Sequence, residues 1–126
     1  MNRAALWLLV VLFTVAGVGH FVRPRLFEAI VPTWLPNARL LVQISGLAEL
    51  LGAIGLALPA TRYAAGCGLI VLLVAVFPAN VQMLLLARAA GASALWQTAL
   101  WLRLPLQPVL VWLVWWTAIA SKARVG

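Results

Sequence analysis

Ile44-Ser45-Gly46-Leu47-Ala48-Glu49-Leu50-Leu51-Gly52-Ala53-Ile54-Gly55-Leu56 is an apolar run of helical pattern with a single carboxylate near its middle. An ionised acid in such a segment is costly, so Glu49 must face a protein interior, find a partner or stay protonated. Its neighbours three and four positions away are Ser45, Gly46, Gly52 and Ala53, all small. Small residues let another helix come close and leave room beside a polar group, so this face points into a bundle and away from lipid.

Composition agrees with that reading. Of the 126 residues 66% are hydrophobic and 9% charged, against roughly half and a quarter in soluble domains. Backbone polar groups in lipid must be satisfied within each segment, and the continuous apolar runs lack the alternation of a barrel. The expected fold is therefore all-α: a single transmembrane domain over 1–126, an antiparallel up-down four-helix bundle. The net charge of +7 comes from basic residues at the ends of apolar spans, without interleaved aromatics, so lipid headgroups are the expected partner and nucleic acid is not. Cys67, the sole cysteine, excludes an internal disulfide or a CxxC pair and reads as a packing residue between Gly66 and Gly68.

Span length and loop signals predict helices near 4–22, 40–58, 63–86 and 94–120. A basic start and small residues near Ala16 also fit a signal peptide, but the run is long and three further spans follow, which favours a retained first helix. The motif Gly19-His20-Phe21-Val22-Arg23-Pro24 ends that helix and is expected to leave His20 close to the membrane surface. The connection over 23–39 holds Pro24, Pro32 and Pro36, and its stretch Leu26-Phe27-Glu28-Ala29-Ile30-Val31 is apolar enough to lie in the interface and lid the bundle. Pro78 should kink the third helix and free a carbonyl near Asn80. The fourth helix begins either near Ser93, with kinks at Pro105 and Pro108, or at Pro105 after an interfacial segment. Trp34, Trp96 and Trp101 fall at one face and Trp7, Trp115 and Trp116 toward the other, with Trp112 left over. The basic residues divide almost evenly: Arg3, Arg62, Lys122 and Arg124 on the terminal side face Arg23, Arg25, Arg39 and Arg88 on the other. Both termini are placed in the cytoplasm on the ground that the loop arginines can be drawn into a site.

Depth along antiparallel helices, at about 1.5 Å per residue, brings polar side chains from all four spans into one leaflet. These are His20, then Gln43, Ser45 and Glu49, then Asn80 and Gln82, then Arg103 and Gln107. Gln43, Ser45 and Gln82 read as packing hydrogen bonds. Glu49 and Arg103 are the candidate catalytic or proton-handling pair, with Asn80 as second partner of Glu49, and His20, Asn80, Gln107 and Phe77 are candidate ligand-binding residues, because intramembrane ionisable groups mark sites by default. One His and two Glu cannot build a closed metal site, so no metal is expected.

The stretches GHFVRPRLFEAIVPTWLP, ISGLAELLGAIGLALPATR, VFPAN and RLPLQPVL, in this order, resemble the DoxX-like family of small four-helix membrane proteins, over Gly19 to about Trp116. That resemblance implies a bacterial inner-membrane protein, and for some relatives a place in thiosulfate:quinone oxidoreductase systems or other membrane redox assemblies. The chain lacks extra cysteines or a cofactor motif, so a role in redox chemistry implies binding a quinone or docking a redox partner subunit. Three functions follow: a site for a quinone or other hydrophobic, lipid-like ligand; a non-catalytic assembly subunit of a membrane complex; and a small proton-coupled carrier with Glu49 as its titrating group. The last is least favoured, since no inverted repeat is visible.

Overall fold

The computed structural model describes residues 3–29, 31 and 34–120, and among them every element is helical. Asn2, Ile30, Pro32 and the basic tail at Lys122 and Arg124 lie outside the described residues. Four helices are long and apolar enough to cross a membrane: α1 (Arg3–Val22), α3 (Ala38–Ala57), α4 (Arg62–Ala89) and α5 (Ala94–Val114), the last continued by a π-helical segment, Trp115–Ala120. The protein is thus a multi-pass membrane bundle. A short helix, α2 (Pro24–Glu28), occupies the connection after α1.

Each connection has a local cause. Leu58 and the turn after it end α3, and Arg62 Nε donates to the Leu56 carbonyl at 2.7 Å while Thr61 Oγ1 donates to Gly55 at 3.0 Å, so the carbonyls at that helix end are satisfied. At the end of α4, Gly91 takes φ +66°, a left-handed conformation that favours glycine. Its N–H reaches the Arg88 carbonyl and the Ala92 N–H reaches Ala87, the paired bonds of a Schellman stop. Ser93 then caps α5, its hydroxyl accepting from the Trp96 N–H at 3.2 Å. Hence the fourth spanning helix begins at Ala94 and carries Pro105 and Pro108 inside it, the first of the two arrangements expected from sequence.

Neighbouring helices meet on glycines. A Cβ at Gly46 would come within 2.7 Å of His20 Cβ and 2.9 Å of the Phe21 ring, which measures how closely α1 and α3 cross. Gly52 against Leu69 closes α3 on α4, and Gly66 against Ala118 closes α4 on the π-helical segment. The apolar core fills the half of the bundle that holds the termini, where Leu6, Leu9 and Phe13 of α1 meet Leu56, Leu69, Val114 and Ala118. A second, smaller cluster of Leu84, Ala87 and Leu100 lies where α4 turns into α5. Trp112, unplaced by its sequence position, stacks on Trp116 with ring centroids 5.5 Å apart.

Candidate functional site

Between the two core clusters the helices part around a cavity of about 720 Å³. Its walls are mostly aliphatic, with Leu72, Val76 and Leu110 among them, and its polar groups come from four spans: His20, Ser45 and Glu49, Asn80, and Arg103 with Gln107. Phe27, Val31 and Leu35 from the connection after α1 also line it, as a lid would.

Glu49 sits on the small-residue face of α3, where Gly46, Gly52 and Ala53 are buried. Its Oε2 lies 3.2 Å from His20 Nδ1, and both side chains are nearly enclosed, at 12% and 11% exposure. The same Nδ1 lies 2.7 Å from the Ala16 carbonyl one turn back on α1. One ring nitrogen carries at most one proton, and the carbonyl can only accept, so Nδ1–H is committed to Ala16. The neutral ring then has its lone pair on Nε2, and Glu49 Oε2 is left buried with no hydrogen-bond partner.

Asn80 is buried on α4, two residues beyond Pro78, and its side chain lines the cavity. The proline cannot donate to the Val74 carbonyl. In the turn just before, Gln107 Nε2 crosses from α5 and donates to the Leu73 carbonyl at 3.2 Å, which pins the proline-bearing helix to its neighbour. Gln107 keeps one N–H and its own carbonyl for other use.

Arg103 lines the cavity and is exposed, with Nη1 3.5 Å from the Met83 sulfur. No ion pair within 4 Å joins it to Glu49, whose close basic neighbour is His20 instead. A direct Glu49–Arg103 ion pair is thus not formed, and His20 takes the close position beside Glu49. The reason is the crossing of α1 and α3 at Gly46, which brings the root of His20 onto α3. For the same reason His20 is buried within the bundle. The chain turns at Arg23 into α2, and Phe27 folds back to stack on the imidazole, ring centroids 3.9 Å apart and planes 22° from parallel. Phe27 was unmarked by sequence reasoning except as part of an apolar loop. Phe77 is half turned outward and does not line the cavity, since a step of about 100° per residue carries it away from the wall that Val76 and Asn80 share. Gln43 is exposed and Gln82 half-buried, and neither borders the cavity, whereas Ser45 does.

The arrangement is that of a four-helix membrane bundle enclosing an apolar cavity with hydrogen-bonding groups gathered at one level. The chain belongs to the family described as a domain of unknown function, DUF8561, whose pattern matches residues 9–118. No curated protein and no solved structure matches it.

Proposed function

We propose that the protein binds a quinone, or a hydrophobic molecule with a similar carbonyl-bearing head, in the cavity between its four spans, as a component of a bacterial inner-membrane redox system. The observation that carries this reading is Glu49 Oε2, buried on the cavity wall without a hydrogen-bond partner, with the Asn80 side chain lining the same cavity. A buried polar group without a partner costs on the order of 1–3 kcal/mol, and a ligand with its own polar head supplies what Glu49 lacks. Asn80, Gln107 and Arg103 offer more N–H donors than the protein can use, which suits a carbonyl oxygen. Glu49 beside His20 provides a place for a proton to reside next to that oxygen, and a quinone carbonyl needs one when it is reduced. The volume lies within the range of small-molecule sites, roughly 300–1,000 Å³. Electrons for any reduction come from a partner subunit. The resemblance to DoxX-like proteins points the same way.

The test is to purify the protein in mild detergent, extract it with organic solvent and identify co-purifying lipids by mass spectrometry, alongside melting curves with added quinone analogues. A bound quinone, and a melting temperature raised by the analogue in wild type and unmoved in Asn80→Leu, is the expected result. Absence of both a co-purified quinone and a quinone-dependent shift refutes the reading and leaves the assembly-subunit function in its place.

A further inference from the structure

A four-helix ring has four seams, and here one of them is open. The seams of α1 with α3, α3 with α4, and α4 with the end of α5 each close on a glycine. By contrast α1 and α5 make few contacts, and these involve the apolar core that α1 shares with Val114 and Ala118. Along the rest of that seam the cavity is bordered by Leu8, Val11, Leu12 and Val15 on one side and Leu106 and Leu110 on the other. Val15 is 67% exposed and Val11 58%, so the cavity communicates with whatever surrounds the bundle at this level. In a membrane that surrounding is lipid chain.

The polar groups are not spread along this opening. They cluster near His20, and from there to Leu8 the α1 wall runs apolar for twelve residues, about 18 Å of helix, or a length on the order of a dozen methylenes. Among the described lining residues Arg103 is the one arginine and no lysine joins it, so the cluster of cations that would hold a phosphate-bearing lipid is not present there. We infer that the occupant is a single-chain amphiphile with an uncharged carbonyl head against Glu49 and Asn80, and that its tail lies in the α1/α5 seam, through which it enters and leaves sideways from the bilayer. This rests on the ligand reading above and adds to it the chain, the seam and the route.

A homologous series tests it. Analogues sharing one quinone head, with tails of zero, five, ten and fifteen carbons, are titrated against the full chain in one detergent, so that partitioning into the micelle is common to all proteins compared. Binding is read from quenching of tryptophan fluorescence. The wild type should bind the ten-carbon analogue at least tenfold more tightly than the tail-less head, with little further gain at fifteen. The double variant Val15→Trp/Leu106→Trp fills the seam at two exposed positions; its ratio between the ten-carbon and tail-less analogues should fall to within about threefold, while its melting curve without ligand shows that it is folded. A wild type indifferent to tail length overturns the inference, as it would if a second copy of the chain covered the seam. So does a seam variant that keeps the full wild-type ratio. If the wild type binds no member of the series, the ligand reading falls as well, and that outcome is distinct from both others. Should the double variant fail to fold, the single Val15→Trp is read by the same ratio.

Discussion

Gly46→Ala joins packing to the site in one methyl group. The new Cβ would stand 2.7 Å from His20 Cβ, 2.9 Å from the Phe21 ring and 3.3 Å from the Gly17 carbonyl oxygen. His20 Cβ is fixed to the α1 backbone, so no rotamer change relieves the clash. To reach ordinary contact, which begins at 3.4 Å, α1 must retreat by about 0.7 Å. Overpacking of this kind costs about 1–3 kcal/mol, and alanine's better helix propensity returns up to about 1 kcal/mol, so a net loss of about 0–2 kcal/mol is expected. The sharper effect is on the site. His20 Nδ1 and Glu49 Oε2 lie 3.2 Å apart across this crossing, and a retreat of that size separates the imidazole from the carboxylate and weakens their electrostatic contact. The assay is thermal unfolding in detergent, with and without a ten-carbon quinone analogue. Gly46→Ala should lower the melting temperature modestly and remove most of the ligand-dependent shift. The control is Gly68→Ala, where a Cβ meets nothing within 4 Å; stability there should hold or rise, and the ligand shift should stay. A Gly46→Ala protein as stable as wild type that also keeps its full ligand shift refutes the close crossing and the dependence of the site on it.

Two further substitutions separate support from binding. Glu49→Gln keeps volume and hydrogen bonding but removes the ionisable group, so the fold should be retained, whereas Glu49→Leu with His20→Phe, which replaces the pair by apolar groups, should equal or exceed wild-type stability yet show no ligand-dependent shift in melting; restored ligand response in the double variant would speak against a binding role. Ser93→Ala deletes the cap on α5 and should cost about 1 kcal/mol, measured by unfolding, without altering the ligand response, since the cap lies outside the cavity lining.

The fold was legible because the signals for it are local. Apolar run length and the proline- or glycine-bearing turns that separate the runs act within a few residues, and the small neighbours of Glu49 already marked the inward face of α3. The level of the polar groups was legible too, because helical rise converts sequence distance into depth. Partner choice was not. Whether Glu49 meets Arg103 or His20 depends on how far apart the helix axes stand, and that is decided by Gly46 lying opposite His20, a pairing between residues 26 apart in sequence that no periodicity reveals. Phe27 escaped for the same reason: its role comes from the turn at Arg23, which folds the loop back over a helix that sequence depth alone had left open to the surface. Phe77 went the other way, an aromatic beside a proline kink whose helical phase carries it out of the cavity.

The position of the cost argues for a ligand over a brace. A bundle that needed only to be held together has cheaper means, and this one uses them: three seams close on glycines and the terminal half is filled by aliphatic side chains. Replacing a buried ion pair by well-packed apolar residues is often neutral or stabilising, so a His20–Glu49 contact retained purely for stability would be a poor device. It is poorer still with Nδ1–H spent on Ala16 and Oε2 left without a hydrogen bond. The same half of the bundle forgoes packing around some 720 Å³ and places the buried Asn80 side chain on the wall of that space. Unfilled volume, an unpartnered acid and a buried amide occur together beneath the Phe27 lid and beside the open α1/α5 seam. Each alone is a defect, but together they have the complementary shape and polarity of a molecule with a hydrogen-bonding head and an apolar body, which would restore in the bound state what the empty bundle lacks.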